Sequence, residues 1–223
     1  MSSFQLKILA CLFMLIDHIG VIFFPEELLF RTIGRLAFPL FGWMISIGYL
    51  HTHNVINYLK RLFIFALALQ IPYTAYFRCL DLNIFFTLFL GLLSIYIFDK
   101  EENKQKGCLF VLLLAIVGQF INTDYGIYGI LTIFFFYIFQ NSFQKLWVSQ
   151  TILNCLYVMG YFLLFTFSGV RTPLMVFLQP VSVLAVVFIM FYNGQRGIKA
   201  KYLFYIFYPV HLIVLYGIQK YWL

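Results

Sequence analysis

Residues 6–24 read LKILACLFMLIDHIGVIFF, an apolar run opened by Lys7 and broken only by Asp17 and His18. A helix needs about 20 apolar residues to cross a bilayer, so this stretch has the length of one transmembrane span. It lacks a small-residue cleavage site and continues past its polar pair to Phe24, so it reads as a retained span and not as a signal peptide. Eight more runs follow, at residues 30–50, 58–77, 84–98, 108–121, 126–139, 146–167, 174–192 and 201–221. They are continuous, not alternating, which argues for helices over membrane strands. The expected fold is therefore all-α: one polytopic transmembrane helical bundle of about nine spans, with no linker to divide the 223 residues into domains. Residues 108–121 and 126–139, split only by Asn122-Thr123-Asp124-Tyr125, could also form a re-entrant pair, giving eight.

Composition agrees. The chain is 63% hydrophobic and 10% charged, whereas soluble domains carry about a quarter charged residues. The net charge of +7 could suggest nucleic acid, but the basic residues lie in short connections between apolar runs. There they set orientation. With the N-terminus inside, ten of the fifteen Lys and Arg are cytoplasmic: Lys7, Lys60, Arg61, Lys100, Lys104, Lys106, Lys145, Arg196, Lys199 and Lys201. Three, Arg78, Arg171 and Lys220, fall outside, and Arg31 and Arg35 lie within the membrane. The reading is a multi-pass protein of the cell membrane. Cys11, Cys79, Cys108 and Cys155 form no close pair, and read as small core hydrophobes without a disulfide or metal role.

Ionisable groups inside a bilayer are costly and usually functional. Asp17 and His18 lie in the outer half of the first span; Arg31 and Arg35, four apart on one helical face, open the second. A hairpin of the two spans brings all four to similar depth. Asp17 can then neutralise an arginine, or orient His18 by accepting its second ring proton. A histidine so oriented is a general base for acyl or proton transfer, and guanidinium groups beside it can hold a carbonyl oxygen or an anion. His211 follows Tyr208-Pro209 in the last span, where a proline can bend the helix toward the same cavity. His51 and His53 lie in an inner loop beside Lys60 and Arg61, and Gln70, Asn83, Thr87 and Gln119 read as interhelical hydrogen-bonding groups. No phosphate-binding loop, nucleotide glycine fingerprint, H-E-x-x-H or nucleophile elbow is present in the sequence.

The residues also carry a resemblance. Leu6-Lys7-Ile8, Met14 through Gly20, Ile33-Gly34-Arg35-Leu36-Ala37-Phe38-Pro39-Leu40-Phe41 and Gly48-Tyr49-Leu50-His51-Thr52 resemble the TraX family. So do Tyr58-Leu59-Lys60-Arg61-Leu62, Gln70-Ile71-Pro72, Leu82-Asn83, Phe86-Thr87-Leu88, Asp124-Tyr125-Gly126 and Phe207-Tyr208-Pro209-Val210-His211-Leu212. That family is implicated in N-terminal acetylation of pilin, and resembles the integral membrane acyltransferases of acyltransferase family 3. In the wider group a basic residue opens span one and a histidine lies near its far end, as Lys7 and His18 do here. The resemblance implies a membrane-bound N- or O-acetyltransferase that takes an acyl group from cytoplasmic acetyl-CoA to a peptide or glycan acceptor on the far side. His18, Asp17, Arg35, Arg31 and His211 would be the catalytic set, and Lys7, His51, Lys60 and Arg61 the donor-binding set, with no metal and no nucleic acid. One departure is Ile47 before Gly48, where many relatives carry an acid. The competing expectation is a small proton-coupled transporter or permease with Asp17 and His18 as its relay, and a third is a non-catalytic assembly scaffold.

Overall fold

The computed structural model describes residues 1–77, 80–199 and 201–222. Arg78, Cys79 and the Lys201 side chain, used above in reading charge and cysteines, lie outside the described set. The described residues are overwhelmingly helical, and Leu82 and Thr123 form an isolated β-bridge among them. Among the described residues, four helical stretches are long and apolar enough to cross a membrane: Ser3–Phe23, Leu28–Leu50, Val55–Ala75 and Phe143–Phe167. The runs at 84–98, 108–121 and 126–139 form shorter helices, that at 174–192 is broken, and that at 201–221 lies in one helix, Lys201–Trp222. The chain divides into two compact units, one of Met1–Phe41 with Phe143–Leu223 and one of Gly42–Ser142.

In the first unit, α1 (Ser3–Phe23) begins with a capping box, in which Ser2 accepts from Gln5 N while the Gln5 side chain accepts from Ser2 N. The backbone of this first turn is also clipped to the chain before the last helix: Ser3 N donates to Gln195 O at 2.8 Å and Phe4 N to Arg196 O at 3.2 Å. Gly197, at φ +70°, lies against Ser2 and Phe4, where a side chain would meet them. At the other end of α1 the chain turns over Phe24–Glu27 into α2 (Leu28–Gly34). Two glycines allow this hairpin to close. A Cβ at Gly20 would overlap Phe30, and one at Gly34 would overlap the Asp17 carboxylate. Arg35 and Leu36 interrupt the helix before α3 (Ala37–Leu50), although Arg35 N still bonds Arg31 O at 3.2 Å.

The unit is completed by α8 (Phe143–Phe167), by α11 (Lys201–Trp222) packed on α1, and by the run expected as an eighth span. That run is not one regular helix. It divides into α9 (Leu174–Leu178), a 3₁₀ segment (Gln179–Leu184) and α10 (Ala185–Met190). Pro180 explains the break, since it has no N–H to give and its ring crowds the preceding turn.

In the second unit, α5 (Ile84–Lys100) packs against α4 (Val55–Phe77), α6 (Lys104–Phe120) and α7 (Gly126–Ile138). Small residues bring these helices close: Gly91 meets Ile133 and Gly118 meets Ile130, around a core of Leu90, Ala115 and Ile130. Asn83 caps α5 by accepting from Phe85 N at 3.0 Å, and donates to Ala66 O and Gln70 Oε1 of α4. Gln119 accepts from Ile127 N across the α6–α7 turn. The polar residues expected to bond between helices therefore do so. At the far end of α5, Tyr49 and Tyr137 donate to the two oxygens of Asp99 at 2.7 and 2.8 Å. The cysteine reading needs correction: Cys11 is buried, but Cys108 and Cys155 are exposed on the outer faces of their helices, where an apolar thiol can face lipid as readily as core.

Candidate functional site

The α1–α2 hairpin brings Asp17 and Arg31 together, with Arg31 Nη1 2.6 Å from Asp17 Oδ2. Both side chains are largely enclosed, and the second carboxylate oxygen is buried with no hydrogen-bond partner. Arg35 lies close enough for its charge to act on Asp17, and its Nε is buried without a partner. Of the two roles open to Asp17, the geometry displays the ion pair.

His18 is met by a different group. Its Nδ1 lies 2.7 Å from Nε2 of His211, and the two rings are tilted by only 18°. His211 is 6% exposed, with Phe207 stacked on one face and Tyr208 standing edge-on to both histidines. His211 Nδ1 is 2.7 Å from Phe207 O.

The carbonyl fixes the tautomers. A carbonyl oxygen only accepts, so His211 Nδ1 carries the proton, and in a neutral ring its Nε2 is then a lone pair. That lone pair accepts from His18 Nδ1–H, which leaves the lone pair of a neutral His18 on Nε2. A backbone carbonyl thus orients His211, and His211 orients His18, so that His18 presents a basic nitrogen away from the pair. When that nitrogen takes a proton, His211 is already in place to hold the imidazolium. Asp17 and His18 are consecutive on α1, which places the ion pair and the histidine pair at the same level of that helix.

The donor-side residues fall in separate units. In the first, the Lys7 ammonium lies 5.4 Å from the Phe204 ring and feels the like charge of Arg196. In the second, His51 bonds Ile47 O at 2.9 Å at the end of α3, and Lys60 is exposed on α4. Arg61 lies over the Tyr58 ring at 5.4 Å, and its Nε is buried without a partner. Tyr58 in turn packs against Gly48, one turn before His51. Among the described residues no cluster of His, Cys, Asp and Glu could hold a metal ion.

Sequence reasoning passed over a further polar group in the first unit. Gln150 and Asn154 on α8 and Gln179 and Ser182 on the 3₁₀ segment are all buried, and Ser182 donates to Asn154 Oδ1 at 3.0 Å. Its signal was present as four polar residues at i,i+4 and i,i+3 spacing within apolar runs.

Apolar helices of this length, with ionisable side chains turned inward, define an integral membrane protein. The chain belongs to the TraX family, whose model, described as TraX protein, matches residues 2–219. It is 30% identical to a probable fimbrial assembly protein, FimC of serogroup H1, from Dichelobacter nodosus, over 96% of this chain and 94% of that protein. It is 32% identical to an uncharacterised protein of Rickettsia prowazekii over 54% of this chain, and 31% identical to the protein TraX of Escherichia coli over 56%. Those two alignments take in about half of each relative, 49% and 51%. No solved structure is significantly similar.

Proposed function

We propose that this protein is a membrane-bound acetyltransferase that moves an acetyl group from cytoplasmic acetyl-CoA to an amine or hydroxyl of a peptide or glycan at the outer side of the membrane. The observation that carries this reading is the chain from Phe207 O through His211 to His18, which leaves His18 Nε2 as an oriented base. His18 removes the acceptor's proton as the acceptor nitrogen or oxygen attacks the thioester carbonyl. Collapse of the tetrahedral adduct breaks the C–S bond, and the departing thiolate takes up the proton held by His18. Arg35, whose Nε has no protein partner, would stabilise the oxyanion, and Arg31 holds Asp17 as its counter-ion. The donor-side charges are Lys7 in the first unit and, in the second, Lys60 and Arg61, with His51 at the end of α3.

Membership of a family with a fimbrial assembly relative favours a pilin-like peptide amine as acceptor. The likeness to integral membrane acyltransferases, the nine crossings and the cytoplasmic N-terminus form part of the same proposal. The rival reading, a proton-coupled permease relaying through Asp17 and His18, has less support in the geometry, because Asp17 pairs with Arg31 and His18 with His211. The test is transfer of labelled acetyl from acetyl-CoA to an apolar peptide with a free α-amine by the purified protein in nanodiscs. Transfer that His18→Ala abolishes supports the reading; no transfer, or undiminished transfer by the variant, overturns it.

A further inference from the structure

The polar cluster between α8 and the 3₁₀ segment is built unlike a helix contact that serves packing alone. Asn154 and Ser182 complete each other: Ser182 Oγ donates to Asn154 Oδ1 at 3.0 Å, and Asn154 Nδ2 donates to Gln150 O at 2.8 Å. That bond fastens the two elements at one register. One turn before Asn154 stands Gln150, 2% exposed, and three residues before Ser182 stands Gln179, 1% exposed. The carboxamide nitrogen of each is buried with no hydrogen-bond partner. A buried amide left unmet is destabilising, whereas Leu or Met at the same position would carry no such cost. Two such amides flanking one satisfied pair are a built feature of the chain, and the 3₁₀ turn at Pro180 carries the second of them.

Both unmet atoms are donors, so the group they suit is rich in acceptors. An apolar peptide that enters the membrane brings main-chain carbonyl oxygens that lipid cannot satisfy. Side-chain amides can satisfy them without selecting side chains. The 3₁₀ segment, which carries Gln179, and α9 before it both pack against α2, the helix that carries Arg31. We infer that Gln150 and Gln179 form a docking subsite for the main chain of an extended, apolar acceptor peptide, holding it while its amine reaches His18. This inference rests on the acetyltransferase reading for its purpose and on the buried amides for its location.

The probe is a fluorescent apolar decapeptide with a free α-amine, titrated into the protein in nanodiscs without acetyl-CoA, beside a parallel acetyl-transfer assay. Gln150→Leu and Gln179→Leu should each weaken peptide binding about tenfold, while leaving the KM for acetyl-CoA within twofold. Peptides in which single amides near the amine are replaced by esters should bind the unaltered protein several-fold more weakly at one or two positions, because an ester carbonyl is the poorer acceptor. This second arm requires no variant to fold. Absence of peptide binding, variants that bind as the parent does, or equal affinity for every ester analogue would each overturn the subsite. A weakened KM for a saccharide acceptor with peptide binding unchanged would overturn it as well. Peptide binding that depends on the two glutamines, with no acetyl transfer, would support the subsite and sink the enzyme reading instead.

Discussion

His18 and His211, separated by 193 positions in the chain, meet through one hydrogen bond of 2.7 Å between Nδ1 and Nε2. The direction of that bond follows from the Phe207 carbonyl behind His211, and it makes the two histidines unequal. His18 should be indispensable and His211 a positioning residue. In acetyl transfer, His18→Ala is expected to lower kcat about 100- to 10,000-fold. His211→Leu should lower it less, and His211→Gln, which keeps an oxygen to accept from His18 Nδ1–H, should recover part of the loss. Equal kcat for the Leu and Gln variants would show that the acceptor at position 211 does not matter.

The ion pair of Asp17 and Arg31 predicts strong asymmetry between single and double replacement. Removing one partner of an enclosed pair leaves the other charge unmet, at about 3 kcal/mol. Asp17→Asn and Arg31→Met should each lower the midpoint of unfolding in detergent micelles. The double variant Asp17→Asn with Arg31→Met should be more stable than the two single losses added together imply, which a double-mutant cycle will measure.

Gly34 predicts a steric effect on the same pair. A methyl there overlaps the Asp17 carboxylate, so Gly34→Ala should cost about 1–3 kcal/mol as an overpacked contact. Gly160, with nothing within 4 Å of a Cβ, is the matched control: Gly160→Ala should leave unfolding unchanged or slightly favour the helix.

Asp99, beyond the apolar run of α5, predicts a pH dependence. Its carboxyl is held below the usual carboxylate range, first by the hydrogen bond from Tyr49 and then by that from Tyr137, against its partial burial. A group whose folded pKa is depressed adds stability above its unfolded pKa and loses that contribution as pH falls through the folded value. The parent protein should therefore lose more stability than Asp99→Asn between pH 6 and pH 3, as read from unfolding midpoints across that window. Parallel curves for the two proteins would refute the assignment.

Much of this arrangement was legible in the sequence, for a physical reason. Asp17, His18, Arg31 and Arg35 stand out because a bilayer tolerates few such groups, and the short turn at Pro25 allows only a hairpin between them. His211 was visible as an intramembrane histidine behind Pro209. Its pairing with His18 was not, because nothing local tells which of two remote helices will lie together, and Asp17 was the nearer candidate to orient the ring. Adjacent residues on a helix point about 100° apart, which is how Asp17 can serve Arg31 while His18 faces α11. The break at Pro180 was hidden inside an apolar run with the length of a span. The polar residues of α8 were equally hard to read, since a lone Gln or Asn in a helix does not reveal its neighbour.

The backbone clip between Ser3, Phe4 and the Gln195–Arg196 carbonyls fastens α1 to the chain entering α11 at one end, and the His18–His211 bond ties it to α11 near the other. From Ser3 to His18 a helix rises roughly 22 Å, so the two fastenings brace α1 along most of its length. With both ends tied, neither helix can slide a turn past the other without breaking the clip or the histidine pair.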